Sequence, residues 1–536
     1  EVHVDPATGQ ITATFDHTPQ APFSNLKLTF KEGPRALFIL PPDCGTYTTA
    51  STLDSWSGAS VSFDSKFTLG EQSEGGCAPH PFAPAFTAGT VSPDAATYSP
   101  FVLSFSRTDQ EQQVSGLTAT LAPGQLAKLA GVTQCSDQDA KAGTCPASSQ
   151  IGTVLAGSGA GPSPFFLKGQ VYLTGPYNGG PFGEVVVVPA IAGPFNLGNV
   201  VVRGSIRIDS TTAQATVLSA PFPQFVGDTG VPTDVRRVDV TLDRPGFTFN
   251  PTDCSPKSVT GALSSVQGAT EPLNVLFQAH NCATLPFHPS FRASTQGKTS
   301  KAIGASLHVH LGTVEGPVNG GARAESNIAK VDVQLPVMLP SRLPTLQKAC
   351  TADQFAKNPA GCPEGSFVGV AIARTPLLAN PLSGPAILVS HGGVAFPDVV
   401  LILQGEGVTL DVTGHTQIKK GITFSHFDTV PDAPVTSFDL TLPQGPHGVL
   451  TTDIPGRNLC ATTRTVLVRK RVTRRVHGHN RKVTVKAKKA IAAPLLMPTT
   501  ITAQNGAVIH QNTRIAVTGC SKVRPVRARK TSRRHR

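Results

Sequence analysis

Three short stretches of the chain carry residue types that could do chemistry. Ser390-His391-Gly392-Gly393 has the His-Gly-Gly order of an esterase oxyanion loop, whose backbone N–H groups stabilise a developing negative charge. No Gly-x-Ser-x-Gly elbow accompanies it to supply a nucleophile, so a turn after an Ile387–Val389 strand is the better reading. Gly297-Lys298-Thr299 ends like a phosphate-binding loop but lacks the glycine five residues earlier, where Arg292 stands. His308-Val309-His310 on a strand puts two imidazoles on one face, half of a metal site with no third ligand in the sequence. Asp5, Asp209 and Asp411 stand at similar places and offer oxygen ligands for calcium. Their contexts, Asp-Pro-Ala-Thr-Gly and Asp-Ser-Thr-Thr among them, read instead as turns in which the aspartate caps backbone groups. No paired carboxylates and no Ser/His/Asp set can be assembled, so the expectation is a protein with no catalytic residues, no metal and no cofactor.

The positive charge is different in kind. The formal net charge is +12, yet residues 464–489 hold 11 Lys and Arg with no acid, and residues 521–536 hold 8 more with none. Removing those 19 leaves 27 bases against 34 acids, a body of net charge −7. A mildly acidic body with two cationic appendages is unlike a DNA-binding domain, whose basic face is part of the fold. No aromatic residues are interleaved with the bases for stacking, which argues against sequence-specific nucleic-acid recognition. Residues 464–490 read as two β-rich arms around His477-Gly478-His479-Asn480, a protruding hairpin. Arg469, Lys470, Arg471, Arg474, Arg475, Arg481 and Lys482, with Arg527, Arg529 and Lys530 of the tail, are the candidate polyanion-binding residues.

Ten cysteines alternate between wide and close pairs along the chain: Cys44 with Cys77, Cys135 with Cys145, Cys254 with Cys282, Cys350 with Cys362, and Cys460 with Cys520. Five such bridges belong outside the reducing cytosol, each contributing roughly 2–4 kcal/mol by restricting the unfolded chain. The close pairs enclose Ser136–Thr144 and Thr351–Gly361, which read as short helical turns; a further short helix is expected over Pro123–Ala130. Metal knuckles of the CxxC kind are absent.

The elements that carry these residues recur along the chain. Ala21-Pro22-Phe23-Ser24-Asn25-Leu26-Lys27-Leu28-Thr29-Phe30 returns as Ala433-Pro434-Val435-Thr436-Ser437-Phe438-Asp439-Leu440-Thr441-Leu442, with a middle copy from Pro232 through Val238, Val240 and Leu242. Each shows the alternation of a strand with one buried face, followed by a Gly/Pro turn and then a cysteine. Cys77-Ala78 with Pro81-Phe82-Ala83-Pro84-Ala85-Phe86 returns as Cys282-Ala283 with Pro286-Phe287-His288-Pro289-Ser290-Phe291. Ser149-Gln150-Ile151-Gly152 returns as Ser366-Phe367-Val368-Gly369, and Val2-His3-Val4-Asp5 matches Ile206-Arg207-Ile208-Asp209. The spacing implies a repeat of about 205–215 residues. The expected organisation is residues 1–78 as the C-terminal part of a truncated repeat, 79–283 as a complete repeat, 284–520 as a second with the hairpin inserted at 464–490, and 521–536 as a basic tail. The chain thus opens inside a repeat, with a missing part expected N-terminal to it and a natural C-terminus at the tail.

Composition agrees with strands and turns: 51 Gly, 46 Pro, 39% hydrophobic and 15% charged residues. With 27 Phe against 4 Tyr and 1 Trp, the rings read as core filler rather than as the exposed stacking platforms of a sugar-binding protein. No apolar run approaches the length of a membrane-spanning helix; Val185–Val188 and Val399–Leu403 are strand-length. There is no LPxTG wall-sorting signal.

Gly116-Leu117 through Leu121-Ala122-Pro123-Gly124, Cys145-Pro146, Gly169-Gln170-Val171-Tyr172-Leu173, Ala192-Gly193-Pro194-Phe195, Asp243-Arg244-Pro245-Gly246-Phe247 and Gln267-Gly268-Ala269-Thr270 resemble the large exported repeat proteins of soil actinobacteria. The resemblance spans nearly the whole chain. It implies export and an actinobacterial origin, and supplies no active site. The expected fold is all-β, in tandem disulfide-stapled β-sandwich-like, immunoglobulin-like modules of about 100 residues, two to a repeat. The expected function is that of a secreted or cell-surface structural or adhesive protein, held by its basic segments to anionic cell-wall polymer or another extracellular polyanion. The alternatives are an extracellular polymer-acting hydrolase with an unrecognised site, or a protein–protein binding module.

Overall fold

The computed structural model describes residues 1–33, 36–41, 44–70, 80–161, 163–300, 302–313, 324–393, 395–452, 459–461, 463–476, 479–492 and 494–520. Strand takes 51% of the chain and helix 7%, so the protein is all-β. Two compact units divide it: residues 1–209 with 213–282, and residues 210–212 with 283–536.

In the first unit the strands are β1 (Val2–Val4), β2 (Ile11–Ala13), β3 (Gly45–Asp54), β4 (Ser60–Leu69), β5 (Ala85–Thr90), β6 (Phe101–Ser106), β7 (Val114–Thr120), β8 (Leu126–Ala127), β9 (Gln150–Ser158), β10 (Phe165–Thr174), β11 (Phe182–Ala192), β12 (Phe195–Ile208), β13 (Ala215–Ser219), β14 (Val235–Leu242), β15 (Thr248–Phe249), β16 (Lys257–Ser265) and β17 (Thr270–Phe277), with helix α1 at Asp137–Ala142. The second unit has β18 (Ser290–Gln296), β19 (Leu307–Gly312), β20 (Ile328–Gln334), β21 (Cys350–Thr351), β22 (Phe367–Arg374), β23 (Leu382–Ser390), β24 (Asp398–Gly405), β25 (Val408–Lys419), β26 (Ile422–Phe427), β27 (Ser437–Leu442), β28 (Thr463–Val476), β29 (His479–Ala492), β30 (Leu496–Ala503) and β31 (Val508–Thr518), with helices α2 (Leu343–Leu346) and α3 (Ala352–Lys357).

The first ladder runs β17-β16-β7-β13-β12-β11-β10-β9-β14-β6-β5. In the second unit the order β31-β30-β20-β26-β25-β24-β23-β22-β27-β19-β18 passes through the corresponding strands step by step, and a parallel pairing of β18 with β31 joins its ends. Early and late strands interleave: β14 enters between β6 and β9, and β7 lies between β13 and β16. The main sheet of each unit is therefore one continuous ladder, with β1–β2, β3–β4, β8–β15 and β28–β29 as separate two-stranded sheets, and it does not divide into the two successive modules of about 100 residues expected of each repeat.

The ladder folds back on its own apolar face. Phe101, Leu103 and Phe105 of β6 pack with Val114 and Ala119 of β7, Leu263 of β16 and Leu273 of β17. Ile151, Val154, Val171, Leu173 and Val188 form a second cluster. On the opposite face of β11, Val185 and Val187 pack against Cys135 and Ala140 of the α1 loop. Val400 and Ile402 of β24 likewise pack with Cys350 and Cys362 beside α3. Covered on both faces, β11 and β24 are the unbroken apolar runs of the sequence.

Four disulfides join Cys135 to Cys145, Cys254 to Cys282, Cys350 to Cys362, and Cys460 to Cys520. Cys44 is also disulfide-bonded; Cys77 lies outside the described residues, as does the tail with Arg527, Arg529 and Lys530. Ser136 caps α1 by accepting from Asp139 N, and Thr351 caps α3 by accepting from Gln354 N.

Three local expectations are corrected. Pro123–Ala130 is not helical: Gly124 turns with a positive φ, and Leu126–Ala127 pair with Phe249 and Thr248. Asp411 is not in a turn but inside β25 opposite Ile402. Residues 21–30 form no strand, although β14 and β27 do. Those two are paired on both sides, whereas Leu26, Leu28 and Phe30 are exposed.

Candidate functional site

The basic segment is a two-stranded antiparallel hairpin, β28–β29, bonded to no other strand of the described residues. Its root is fixed in the second unit. Leu459 and Leu495 are buried on either side of it, Leu459 N donates to Gly297 O, and the Cys460–Cys520 bridge closes it below. Gly297 is required there, since a Cβ would collide with Cys460 Sγ. The stretch between these cysteines, which are 60 positions apart in sequence, holds the hairpin together with β30 and β31.

Register decides which charges share a face. Arg469 stands opposite Lys486, Arg471 opposite Thr484 and Thr473 opposite Lys482. All six are exposed, giving one face on which Arg469, Arg471, Lys482 and Lys486 converge with only threonine between them. Lys470 is opposite Val485, Arg474 opposite Arg481 and Arg475 opposite Asn480; these are placed by their backbone register alone. Residues 477–478 of the expected turn lie outside the described residues. Directly opposed side chains on a ladder lie about 5 Å apart, so the exposed face is a compact cationic strip able to meet several anionic groups of one polymer.

The second unit also brings together groups whose sequence spacing gives no sign of it. Asp398, buried at the start of β24, has Oδ2 2.6 Å from His391 Nε2 and 2.8 Å from His415 Nδ1. His415 faces His426 across the ladder, and His426 faces Asp332, with Nδ1 2.5 Å from Asp332 Oδ1. Asp332 in turn faces Thr500, whose hydroxyl is 3.0 Å from His510 Nδ1. A second pair of imidazoles, His308 and His310, converges on Asp439 at 3.5 and 2.8 Å. An Asp–His pair orients an imidazole, but acyl transfer also needs a hydroxyl or thiol on the other ring nitrogen. No described residue makes that bond to His391 or His415, and no three His, Cys, Asp or Glu groups of the described residues are placed to hold a metal ion. Only the register of β24, β25, β26 and β20 assembles this row, so no sequence motif announces it. The Ser390–Gly393 stretch is a turn at the end of β23, with Gly392 and Gly393 at positive φ.

Asp5 behaves as a turn residue. Its Oδ1 accepts from the backbone of Ala7 and Thr8 and from the Thr8 hydroxyl; the Thr8 hydroxyl bond is the main cause holding its carboxyl below the ordinary value.

No protein family matches this sequence, and no curated protein does. A solved structure, "Putative membrane anchored protein from Corynebacterium diphtheriae", aligns over 88% of this chain and 97% of its own length at 9% identity with a TM-score of 0.14. A likeness at that level carries no argument about fold or function. Disulfides among buried residues place the protein outside the reducing cytosol. No described helix is long and apolar enough to cross a membrane, a statement that does not extend to strands.

Proposed function

We propose that the protein is a secreted or cell-surface structural or adhesive protein that holds an anionic cell-envelope polymer by charge. The observation that carries this reading is the β28–β29 hairpin. It stands apart from the ladder, is pinned at its root by Cys460–Cys520, and displays Arg469, Arg471, Lys482 and Lys486 on one exposed face. The disulfide-stapled ladder of the second unit is the body that carries it. Binding of this kind releases counter-ions from the polymer and weakens steeply with salt. It needs no deep pocket, because the polymer is recognised by charge density along a strip and not by shape. The basic tail adds bases to the same chain.

The test is binding to isolated actinobacterial cell wall, and to dextran sulfate as a defined polyanion, across a salt series. The full chain is compared with one lacking 464–489 and 521–536. Binding that falls with salt and disappears with the deletion supports the reading. Equal binding by both chains, or none by either, overturns it.

A further inference from the structure

Hairpin β3–β4 repeats the construction of β16–β17 down to its turn. Ser55 N donates to Ala59 O, Gly58 N to Ser55 O, and Ala59 N to the Ser55 hydroxyl; Ser265, Gly268 and Ala269 make the same three bonds in β16–β17. Leu53 therefore corresponds to Leu263, Phe63 to Leu273 and Phe67 to Phe277. Exposure separates the two hairpins. Leu263, Leu273 and Phe277 are 0%, 6% and 5% exposed, whereas Leu53, Phe63 and Phe67 are 60%, 48% and 45% exposed. In β30–β31 the positions of Leu263 and Phe277 are Ile501 and Ile515, both buried.

What covers the buried hairpin is known strand by strand. β7 pairs along β16, with Leu117 opposite Leu263. Phe101, Leu103 and Phe105 of β6 pack over Leu263 and Leu273, and Ala88 of β5 lies against Phe277. The turn of hairpin β1–β2, which itself lies against Phe225 and Gly230, also has its counterpart. Its turn bonds, Asp5 N to Gln10 O and Gly9 N to Asp5 O, match Asp209 N to Gln214 O and Ala213 N to Asp209 O between β12 and β13. Between these two hairpins, residues 21–30 carry the alternation of β14 and β27 without forming a strand, and β14 is held on one side by β6 and on the other by β9.

We infer that residues 26–30 and the exposed apolar face of β3–β4 form a docking surface for the amino-terminal half of a further unit of this same kind. Its occupant is a strand set built like β5 through β11 of residues 80–205. Docking pairs one strand along β3, seats alternating apolar side chains over Leu53, Phe63 and Phe67, and completes residues 26–30 as a strand between two partner strands. The half-units within this chain are not available, because Leu103 and Phe105 are already buried against β16–β17. The occupant is therefore not residues 80–205 of a second copy.

The test supplies the half-unit. A copy of residues 80–205 is fused ahead of Val2, reproducing the connection the chain itself uses from Ser205 to Ile206, and hydrogen exchange is compared with the full chain. Amides of residues 26–30, and those of β3 that point away from β4, should slow by at least about 100-fold as they pass from exposed to ladder-bonded. If the fused copy forms its Cys135–Cys145 bridge and those amides do not slow, the inference fails. A second measurement needs no fusion. The triple variant Leu53→Asp, Phe63→Asp, Phe67→Asp of the full chain should unfold at the same temperature while losing binding of an apolar fluorescent dye. Lowered unfolding temperature, or unchanged dye binding, shows the face to be covered within this chain and overturns the proposal. A dimer of the full chain that buries Phe63 overturns it in favour of a second copy.

Discussion

Glu184 gives the first unit a pH dependence that a single substitution should remove. It sits in β11 opposite Leu173 of β10 and Gly204 of β12, on the side of the strand that carries Val186 and Val188 into the core. Gly204 leaves the room: a Cβ there would lie 3.2 Å from Glu184 Oε1. With no hydrogen-bond donor or cation among the described residues to meet it, burial pushes the carboxyl from 4.5 up to about 7. The unfolded chain ionises near 4.5 while the folded unit keeps its proton to about 7. The unfolded state therefore binds fewer protons in that interval, and stability falls as pH rises through it and is flat above. The gap corresponds to about 3 kcal/mol at 1.36 kcal/mol per pH unit. That figure is an upper bound, because part of the side chain remains accessible to water. Glu184→Gln keeps the shape and cannot ionise. Urea unfolding followed by tyrosine fluorescence reports the first unit alone, since Tyr47, Tyr98, Tyr172 and Tyr177 all lie within it and are the chain's only tyrosines. Between pH 4 and pH 8 the wild-type chain should lose up to about 3 kcal/mol relative to Glu184→Gln. A difference that does not change with pH, or one that grows in favour of the wild type, refutes the reasoning.

Changing Arg469, Arg471, Lys482 and Lys486 together to Gln should reduce the slope of log affinity against log salt for dextran sulfate by about 3, at roughly 0.7–0.9 per ionic contact; a slope that does not change would exclude this face. Gly152→Ala and Gly369→Ala should each destabilise their own unit by about 1–3 kcal/mol in urea unfolding, because the added Cβ meets the carbonyl of Thr241 in one and Thr441 in the other. Cys460→Ser with Cys520→Ser removes a cross-link spanning 60 residues, worth about 4 kcal/mol by chain entropy, and should lower the unfolding midpoint of the second unit while leaving the tyrosine-reported transition in place.

Much of the local structure can be read directly from residue pattern. The apolar runs at Val185–Val188 and Val399–Leu403 are strands covered on both faces, and the short helices between the close cysteine pairs follow from their Ser136 and Thr351 caps. Interleaving is not legible in the same way. Alternation in β14 says that one face is buried, but not that its neighbours are β6 and β9, which come from distant parts of the sequence. Residues 21–30 show the limit most clearly: the pattern is that of a strand, and a strand forms only where a ladder supplies hydrogen-bond partners. The Asp398 and Asp332 histidine row is invisible for the same reason, since cross-strand register alone brings it together.

The basic hairpin carries its own electrostatic conflict, and that conflict makes a last prediction. Register sets Arg469 opposite Lys486 and Arg474 opposite Arg481, and like charges directly opposed on a ladder are destabilising. A two-stranded sheet with no third strand is marginal in water even without that burden. A polyanion lying along the strip would neutralise the Arg469–Lys486 pair, which lies on that face, and anything that binds the formed hairpin more tightly than the open one stabilises it. Dextran sulfate should therefore slow hydrogen exchange across residues 463–492, with simple salt giving a smaller effect by screening alone. Buried Leu459 and Leu495 anchor the roots of the two arms, so the gain should be largest toward residues 474–481, farthest from the root. If exchange is unchanged by the polymer, or slows equally along the arms and at β30, the hairpin is not where the polymer sits.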